Sequence, residues 1–405
     1  MRTASHLSVL FARVVLLAGF VALLAAPLVA WMLRVSPPAD LQEMQVLAPW
    51  PEWKSTAVAT WPGKFEAWLN HHFALRGQII RAQSIVRHRW LSAPSNNVVP
   101  GRDHWLFYAG DRTFEDFVGR DPLSADELTR WHALLEGRRA WLRERGIAYL
   151  FVIVPNKSTA YPEQLPRVLN AQHRSGKLDQ LLDYLRAQGS TVPVLDLRPT
   201  LLKLKTREPA YWIADSHWNG AGLIAASDAI MLRVAQLGVS AGAIDAAGTR
   251  PLLNLQSVPR EADCVDLIAM RGCWPQPPEI QLRLNRPADL RDVASPLADL
   301  PPWKEYPAWR KPVTTERDSG RGRAVLLCDS FFRAGGVPLD ALAQVPFMLE
   351  FHRFTSLWDW ASFDQFRSIA EQEKPDVVIE EWTERFLKVI PADHPEFQRA
   401  RKAAP

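Results

Sequence analysis

The chain has 405 residues, 47% of them hydrophobic and 23% charged, with a formal net charge of +4. That supply of apolar residues supports a large buried core and excludes wholesale disorder. So weak a positive excess, with no concentrated basic stripe, sets nucleic acid aside as a partner; "RAWLRERG" (139–146) reads as the polar face of a helix.

The N-terminus carries the compartment signal. Arg2 and Arg13 precede "VVLLAGFVALLAAPLVAWML" (14–33), which has no charged residue. About 20 such residues span a bilayer as a helix. Positive charge ahead of the run favours a cytoplasmic N-terminus and an exported remainder. The reading is a cytoplasmic segment over 1–13, a single-pass inner-membrane anchor or signal segment over 14–33, and a Pro-rich linker over 34–60. The alternative is a soluble periplasmic protein after signal cleavage. Cys264 and Cys273 are close enough in sequence to pair in an oxidising compartment, leaving Cys328 in a strand. No Cys/His spacing resembles a metal site, and no cofactor motif is present.

"KFEAWLNHHFALRGQIIRAQSIVRHRWL" (64–91) has helical periodicity, with His71 and His72 read as solvated or packing residues. "VVPGRDHWLFYAGD" (98–111) reads as a turn and a short aromatic strand. An α/β rhythm follows. Helices are expected over 128–146 and 177–189, each stopped by Gly, and strands over 147–155 and 191–197. Asn219 is placed to cap a helix over 220–238. Strands are expected at 323–330, 346–351 and 375–382, with a helix near 361–372. The alternation predicts a parallel sheet covered by helices on both faces, one domain over 61–395, and a tail over 396–405. Residues 239–322 are Pro-rich and poorly periodic and read as an insertion or lid.

Two short stretches carry the chemistry. "AVLLCDSFF" ends a strand with Asp329 and Ser330, and ligands gather beyond the carboxyl ends of parallel strands. "YWIADSHWNGAGLIAA" (211–226) places Asp215 two residues before His217, just ahead of a helix. A serine hydroxyl needs a base to become a nucleophile, and a histidine base needs a carboxylate to fix its tautomer. The expected roles are Ser330 as nucleophile, His217 as general base and then acid, and Asp215 as orienter, with both side chains leaving one side of an extended loop. Asn156 and Lys157, after a strand, are candidates for substrate or oxyanion binding, as is Asp329, which equally suits a strand-end turn. Trp218 is a candidate cleft wall. Trp274, Trp303, Trp309, Trp358 and Trp360 lie in or near irregular regions where aromatic faces could stack on sugar rings. Glu381 and Arg385 read as an ordinary surface pair.

"CDSFF" resembles the GDS-type nucleophile block of SGNH hydrolases. With Asp-x-His-Trp lying upstream of it, the chain is similar to the alginate O-acetyltransferase AlgJ/AlgX-type family. "FALRG" (73–77), "GRDHWLFY" (101–108), "VPNKSTAYPEQLP" (154–166) and "EEWTERFL" (380–387) match that family loosely. The resemblance implies an SGNH-hydrolase-like α/β fold with the triad Asp215, His217 and Ser330. It implies acetylation of an exopolysaccharide in the periplasm, beside a membrane-bound O-acyltransferase that supplies acetyl groups. Cys328 departs from the family pattern, standing where the block usually has Gly. Two other functions stay open: a carbohydrate esterase or deacetylase using the same triad, and a non-catalytic scaffold of a polysaccharide export complex.

Overall fold

The computed structural model describes residues 2–33, 48–52, 58–72, 74–91, 97–239, 255–259, 280–284, 288–301, 303–305, 311–332, 350–358 and 363–391. Cys264, Cys273, Trp274, Trp309 and Trp360 lie outside these, as does most of the strand expected over 346–351. The chain divides into two units, one of residues 1–95 with 268–274, the other of residues 96–267 with 275–405.

Among its described residues the first unit has three helices: α1 (Arg2–Met32), α2 (Trp61–His72) and α3 (Arg76–Leu91). The single helix expected over 64–91 is therefore two. Leu75, with φ of 68°, sits between them in the left-handed region that a continuing helix does not allow. His72 is exposed, and its ring stacks on Trp68 at 5.0 Å. Along α1, Leu10, Phe11, Leu16, Leu17, Leu23 and Leu24 are exposed. Among the described residues no helix is long and apolar enough to cross a membrane, so the anchor expected over 14–33 is not shown by the fold.

The second unit opens with an antiparallel hairpin of β1 (Val98–Pro100) and β2 (Leu106–Tyr108). Then follow α4 (Thr113–Phe117), α5 (Ala125–Arg143), β3 (Ala148–Val154), α6 (Lys157–Ala160), α7 (Arg167–Asn170), α8 (Lys177–Ala187), β4 (Val194–Asp196), α9 (Arg198–Lys205) and α10 (Gly220–Gln236). The strands β5 (Leu255–Pro259) and β6 (Ile280–Leu284) pair with each other. The remainder is β7 (Leu290–Val293), β8 (Val313–Arg317), β9 (Arg323–Cys328), β10 (Arg353–Trp358), α11 (Phe363–Glu373) and β11 (Val377–Thr383).

Seven strands form the main sheet in the order β4-β3-β11-β9-β10-β8-β7. The first five run parallel, whereas β8 is antiparallel to β10 and β7 to β8. The parallel sheet expected from the α/β rhythm is thus mixed at one edge. That edge comes from residues 290–317, inside the stretch expected to be an insertion or lid. Short strands of the composition "LRDV" and "VTTER" lack the long apolar runs of buried parallel strands, so their pairing is invisible in periodicity.

The central strands alternate between two cores. Leu150, Val152 and Val154 of β3 pack with Ala324, Leu326 and Cys328 of β9 under α9 and α10. Tyr149, Phe151 and Ile153 face the other way, with Val325, Leu327 and residues of α5, α8 and α11. Period-two alternation with both faces apolar is what a helix-covered parallel sheet requires. Capping defines the helices: Ser124 and Glu127 form a reciprocal box at the start of α5, and Asn219 Oδ1 accepts from Gly222 N at the start of α10. On the α5 face, Glu380 is buried and accepts from Arg138, Tyr149 and Trp382.

Candidate active site

Two crossings bring the chemistry together. β9 runs through the middle of the sheet, so its carboxyl end delivers Ser330 to the rim between the ends of β10 and β11. The segment ahead of α10 supplies the other two groups. It is not an extended loop, as expected, but a closed turn. Tyr211 and Trp218 form an antiparallel bridge. Trp212 N donates to His217 O at 3.2 Å and Asn219 N to Ala210 O at 2.9 Å. Gly222 allows this closure: a Cβ there would lie 2.2 Å from Ala210 O and 2.8 Å from Trp218 Cβ.

Within the turn, Asp215 Oδ1 accepts the backbone N–H of His217 at 2.9 Å and lies 2.7 Å from His217 Nδ1. The opposite ring nitrogen, Nε2, lies 2.8 Å from Ser330 Oγ. With Nδ1–H donating to the carboxylate, Nε2 carries the lone pair that faces the hydroxyl. The side chains of His217 and Asp215 remain 21% and 17% exposed, so the line of three opens to solvent at its edge.

The remaining predicted residues fall into place differently. Lys157 is buried, and its ammonium donates to the carbonyls of Leu106 (2.7 Å), Ile213 (2.7 Å) and Asp215 (2.9 Å). It also lies 4.7 Å from the Trp105 ring centre. The cation therefore ties β2 and the Asp215 turn to α6 and does not offer itself to a substrate. Trp218 is likewise no cleft wall. It is buried, its Nε1 donates to Phe331 O at 2.8 Å, and its ring meets Phe331 and Phe332 edge-on. It clamps the histidine turn to the serine turn.

Asp329 resolves to the turn role. Oδ1 accepts from Phe331 N at 2.9 Å, and Oδ2 accepts from Thr383 N at 3.0 Å and Thr383 Oγ1 at 2.5 Å. Its own N–H donates to Glu381 Oε2 at 3.0 Å. Three of the carboxylate's roughly four acceptor directions are taken by backbone and Thr383, and the geometry of the residue after it is held from both sides. Asn156 is buried at the end of β3; its N–H donates to Glu384 Oε2, and its Oδ1 has no partner. Neither its amide nor the N–H of Ser330 is engaged with another described residue.

Glu381 and Arg385 are buried, and no ion pair joins them, which corrects the surface-pair reading. For Glu381, burial, then the charge of Asp329, pushes its carboxyl well above the usual range. Burial also raises Glu384, to about 7. Trp303 packs into the core on the α5 face, away from the triad. Cys328 is fully buried in the other core, which it shares with Trp218, Phe331 and Phe332, and its thiol lies 3.6 Å from Leu357 O. Sequence reasoning missed Thr383 and the two phenylalanines after Ser330. All three lie inside quoted motifs, "EEWTERFL" and "CDSFF", for which no such roles were expected.

Residues 98–288 match the family model described as "SGNH hydrolase-like domain, acetyltransferase AlgX". That stretch includes Asp215 and His217 and ends before Ser330. The chain is 27% identical over 196 residues to the probable alginate O-acetylase AlgJ of Pseudomonas putida, covering 47% of this chain and 48% of that one. It is 30% identical over 125 residues to the same-named protein of Pseudomonas aeruginosa, covering 31% and 30%. The chain thus spans about half the length, or less, of these curated relatives. Among solved structures it is similar to the O-acetyltransferase domain of Pseudomonas putida AlgJ, with a TM-score of 0.47, 17% identity, and coverage of 76% of this chain and 98% of that one.

Proposed function

We propose that the chain belongs to the acetyltransferase family whose model residues 98–288 match, and that it transfers acetyl groups to hydroxyls of an exopolysaccharide through Ser330, His217 and Asp215. The observation that carries this reading is the unbroken line from Asp215 through both nitrogens of His217 to Ser330, at 2.7 and 2.8 Å.

In the first half-reaction Ser330 Oγ attacks the carbonyl carbon of an acetyl donor while His217 Nε2 takes its proton. The imidazolium is held by Asp215. The tetrahedral oxyanion is met by the N–H of Ser330 and the side-chain amide of Asn156, the two donors left uncommitted at the strand ends. The C–O bond to the leaving group breaks as His217 returns the proton to it, giving acetyl-Ser330. In the second half a sugar hydroxyl loses its proton to His217, attacks the acetyl carbon and expels Ser330 Oγ, which recovers the proton.

The relatives' names supply the acceptor class: alginate for the proteins they describe, and here an acidic exopolysaccharide. A membrane-bound O-acyltransferase is the proposed source of acetyl groups. The exposed apolar side chains of α1 and the basic residues flanking them support an inner-membrane anchor with the catalytic unit in the periplasm. Retention in the membrane fraction after alkaline extraction is the expected result; release into the supernatant points to a cleaved, soluble form.

Hydrolysis is the second reading, favoured by the partial exposure of His217 and Asp215, which lets water reach the acetyl-enzyme. One experiment separates the two. The full chain is incubated with a chromogenic acetyl ester, with and without an acidic oligosaccharide, and the sugar is weighed by mass spectrometry. Acetylated sugar that is absent with Ser330→Ala supports transfer. Ester loss without sugar product makes the protein an esterase, and no turnover distinct from Ser330→Ala leaves a scaffold.

A further inference from the structure

Buried and part-buried cations in this fold are met by carboxylates or, for Lys157, by three backbone carbonyls. Arg138 meets Glu380, Lys177 meets Asp121, Arg198 meets Asp179 and Asp196, and Arg353 meets Glu316 and Glu373. Arg385 is different. It sits in the short 3-10 turn Glu384–Lys388 that leaves β11, at the same sheet end as Ser330. It is 7% exposed. Its guanidinium lies 5.1, 5.5 and 4.9 Å from the ring centres of Tyr108, Phe331 and Phe386. It makes no ion pair and no hydrogen bond with any described residue, and its Nε is fully buried without a partner.

The acids nearest in charge do not neutralise it. Burial, and then the charge of Asp329, push the Glu381 carboxyl well above the usual range, and no ion pair joins it to Arg385. Glu384 spends its oxygens on Asn156 N and Thr159 Oγ1. Asp111 accepts from the Tyr108 hydroxyl. Aromatic faces attract a guanidinium by roughly 0.5–2 kcal/mol each, which does not offset several kcal/mol for an unpaired buried charge. A cation left in that state is completed by an anion that comes and goes. Its place is next to the reacting groups: the Phe331 ring that it covers lies 5.0 Å from the His217 ring and belongs to the residue after Ser330.

We propose that Arg385 receives the carboxylate of an acidic sugar in the acceptor chain and so sets the preference of the site for uronate polymers. The inference rests on the transferase reading for its biological meaning, though not for its test. A planar guanidinium takes a carboxylate through two parallel N–H bonds, which orients the sugar as well as attracting it. Anchoring the carboxylate of one ring presents its hydroxyls to His217 in a limited set of orientations, the condition for efficient transfer.

The test measures binding in the full chain carrying Ser330→Ala, so that no turnover is needed. A short oligomannuronate and its carboxyl-reduced, neutral counterpart are titrated calorimetrically. The expected result is a preference for the acidic ligand of roughly tenfold or more, falling to near unity with Arg385→Gln. Arg385→Lys, which keeps the charge without the fork, keeps part of the preference, and it decides the matter should the glutamine variant fail to fold. No preference in the Ser330→Ala parent overturns the proposal. So does a preference that both variants retain, or a parallel loss of both ligands, which is the mark of a structural role. Failure to find acetylated sugar in the transfer assay sinks the transferase reading alone, since the binding preference is read independently.

Discussion

At the scale of single residues, the site separates groups that react from groups that hold them. Ser330, His217 and Asp215 form the hydrogen-bonded line that is proposed to react. Replacing Asp215 with Asn inverts the hydrogen-bond polarity at Nδ1 and leaves the wrong nitrogen protonated; kcat on an acetyl ester is expected to fall by roughly 10³–10⁴, with a folded protein by circular dichroism. Lys157 is a positioning residue. Lys157→Met removes the three N–H donations that its ammonium makes to the carbonyls of Leu106, Ile213 and Asp215. The expected cost is about 1–3 kcal/mol by urea denaturation. Because the Asp215 turn loses its tether, kcat is expected to drop about a hundredfold while KM for a small ester changes little. A destabilised variant with normal kcat would show that the tether serves folding only.

At the scale of elements, catalytic geometry depends on how closely α10 approaches the turn before it. Gly222 is the contact point, since any Cβ would collide with Ala210 O and Trp218 Cβ. Although Ala is the better helix former, Gly222→Ala is expected to destabilise by about 1–3 kcal/mol through overpacking and to displace His217 from Ser330. Thermal melting and ester hydrolysis measured on the same preparation check both parts; a variant as stable and active as the parent refutes the role. The serine side is held as firmly. Asp329 bridges the turn after β9 to Thr383 at the end of β11, and Trp218 links the two turns through Phe331 O. The proposed oxyanion donors and base are therefore carried by strand ends and a helix start.

At the scale of the whole molecule, buried carboxyls shape the response to pH. Glu384 has its folded value raised to about 7 from 4.5, chiefly by burial. Between those values the folded state binds more protons than the unfolded one, so this group's contribution is full below about 4.5 and is lost as pH rises through 7. Comparison of Glu384→Gln with the parent is expected to reveal a difference of about 3 kcal/mol that develops across that window. Denaturant melts at several pH values measure it, and a pH-independent difference would remove Glu384 as its source. Acids held below their usual range by partners, such as Asp179 beside Arg198, act in the opposite sense at lower pH. The comparison of variant with parent isolates the one group.

The apolar runs at 148–154, 323–328 and 377–383, the Gly stops and the Asn219 cap were legible because local periodicity and capping chemistry specify them. So were Asp215, His217 and Ser330, whose residue types and positions at element ends suit only a few chemistries. The roles of Lys157, Trp218 and Asp329 were not, because whether a polar side chain faces a substrate or a backbone carbonyl depends on which segments pack against it. Nor were the antiparallel edge of the sheet and the buried state of Glu381 and Arg385. Strand order and burial are set by contacts between residues far apart along the chain. Local sequence thus determined which groups could do chemistry, and only tertiary packing decided which of them were left free to do it.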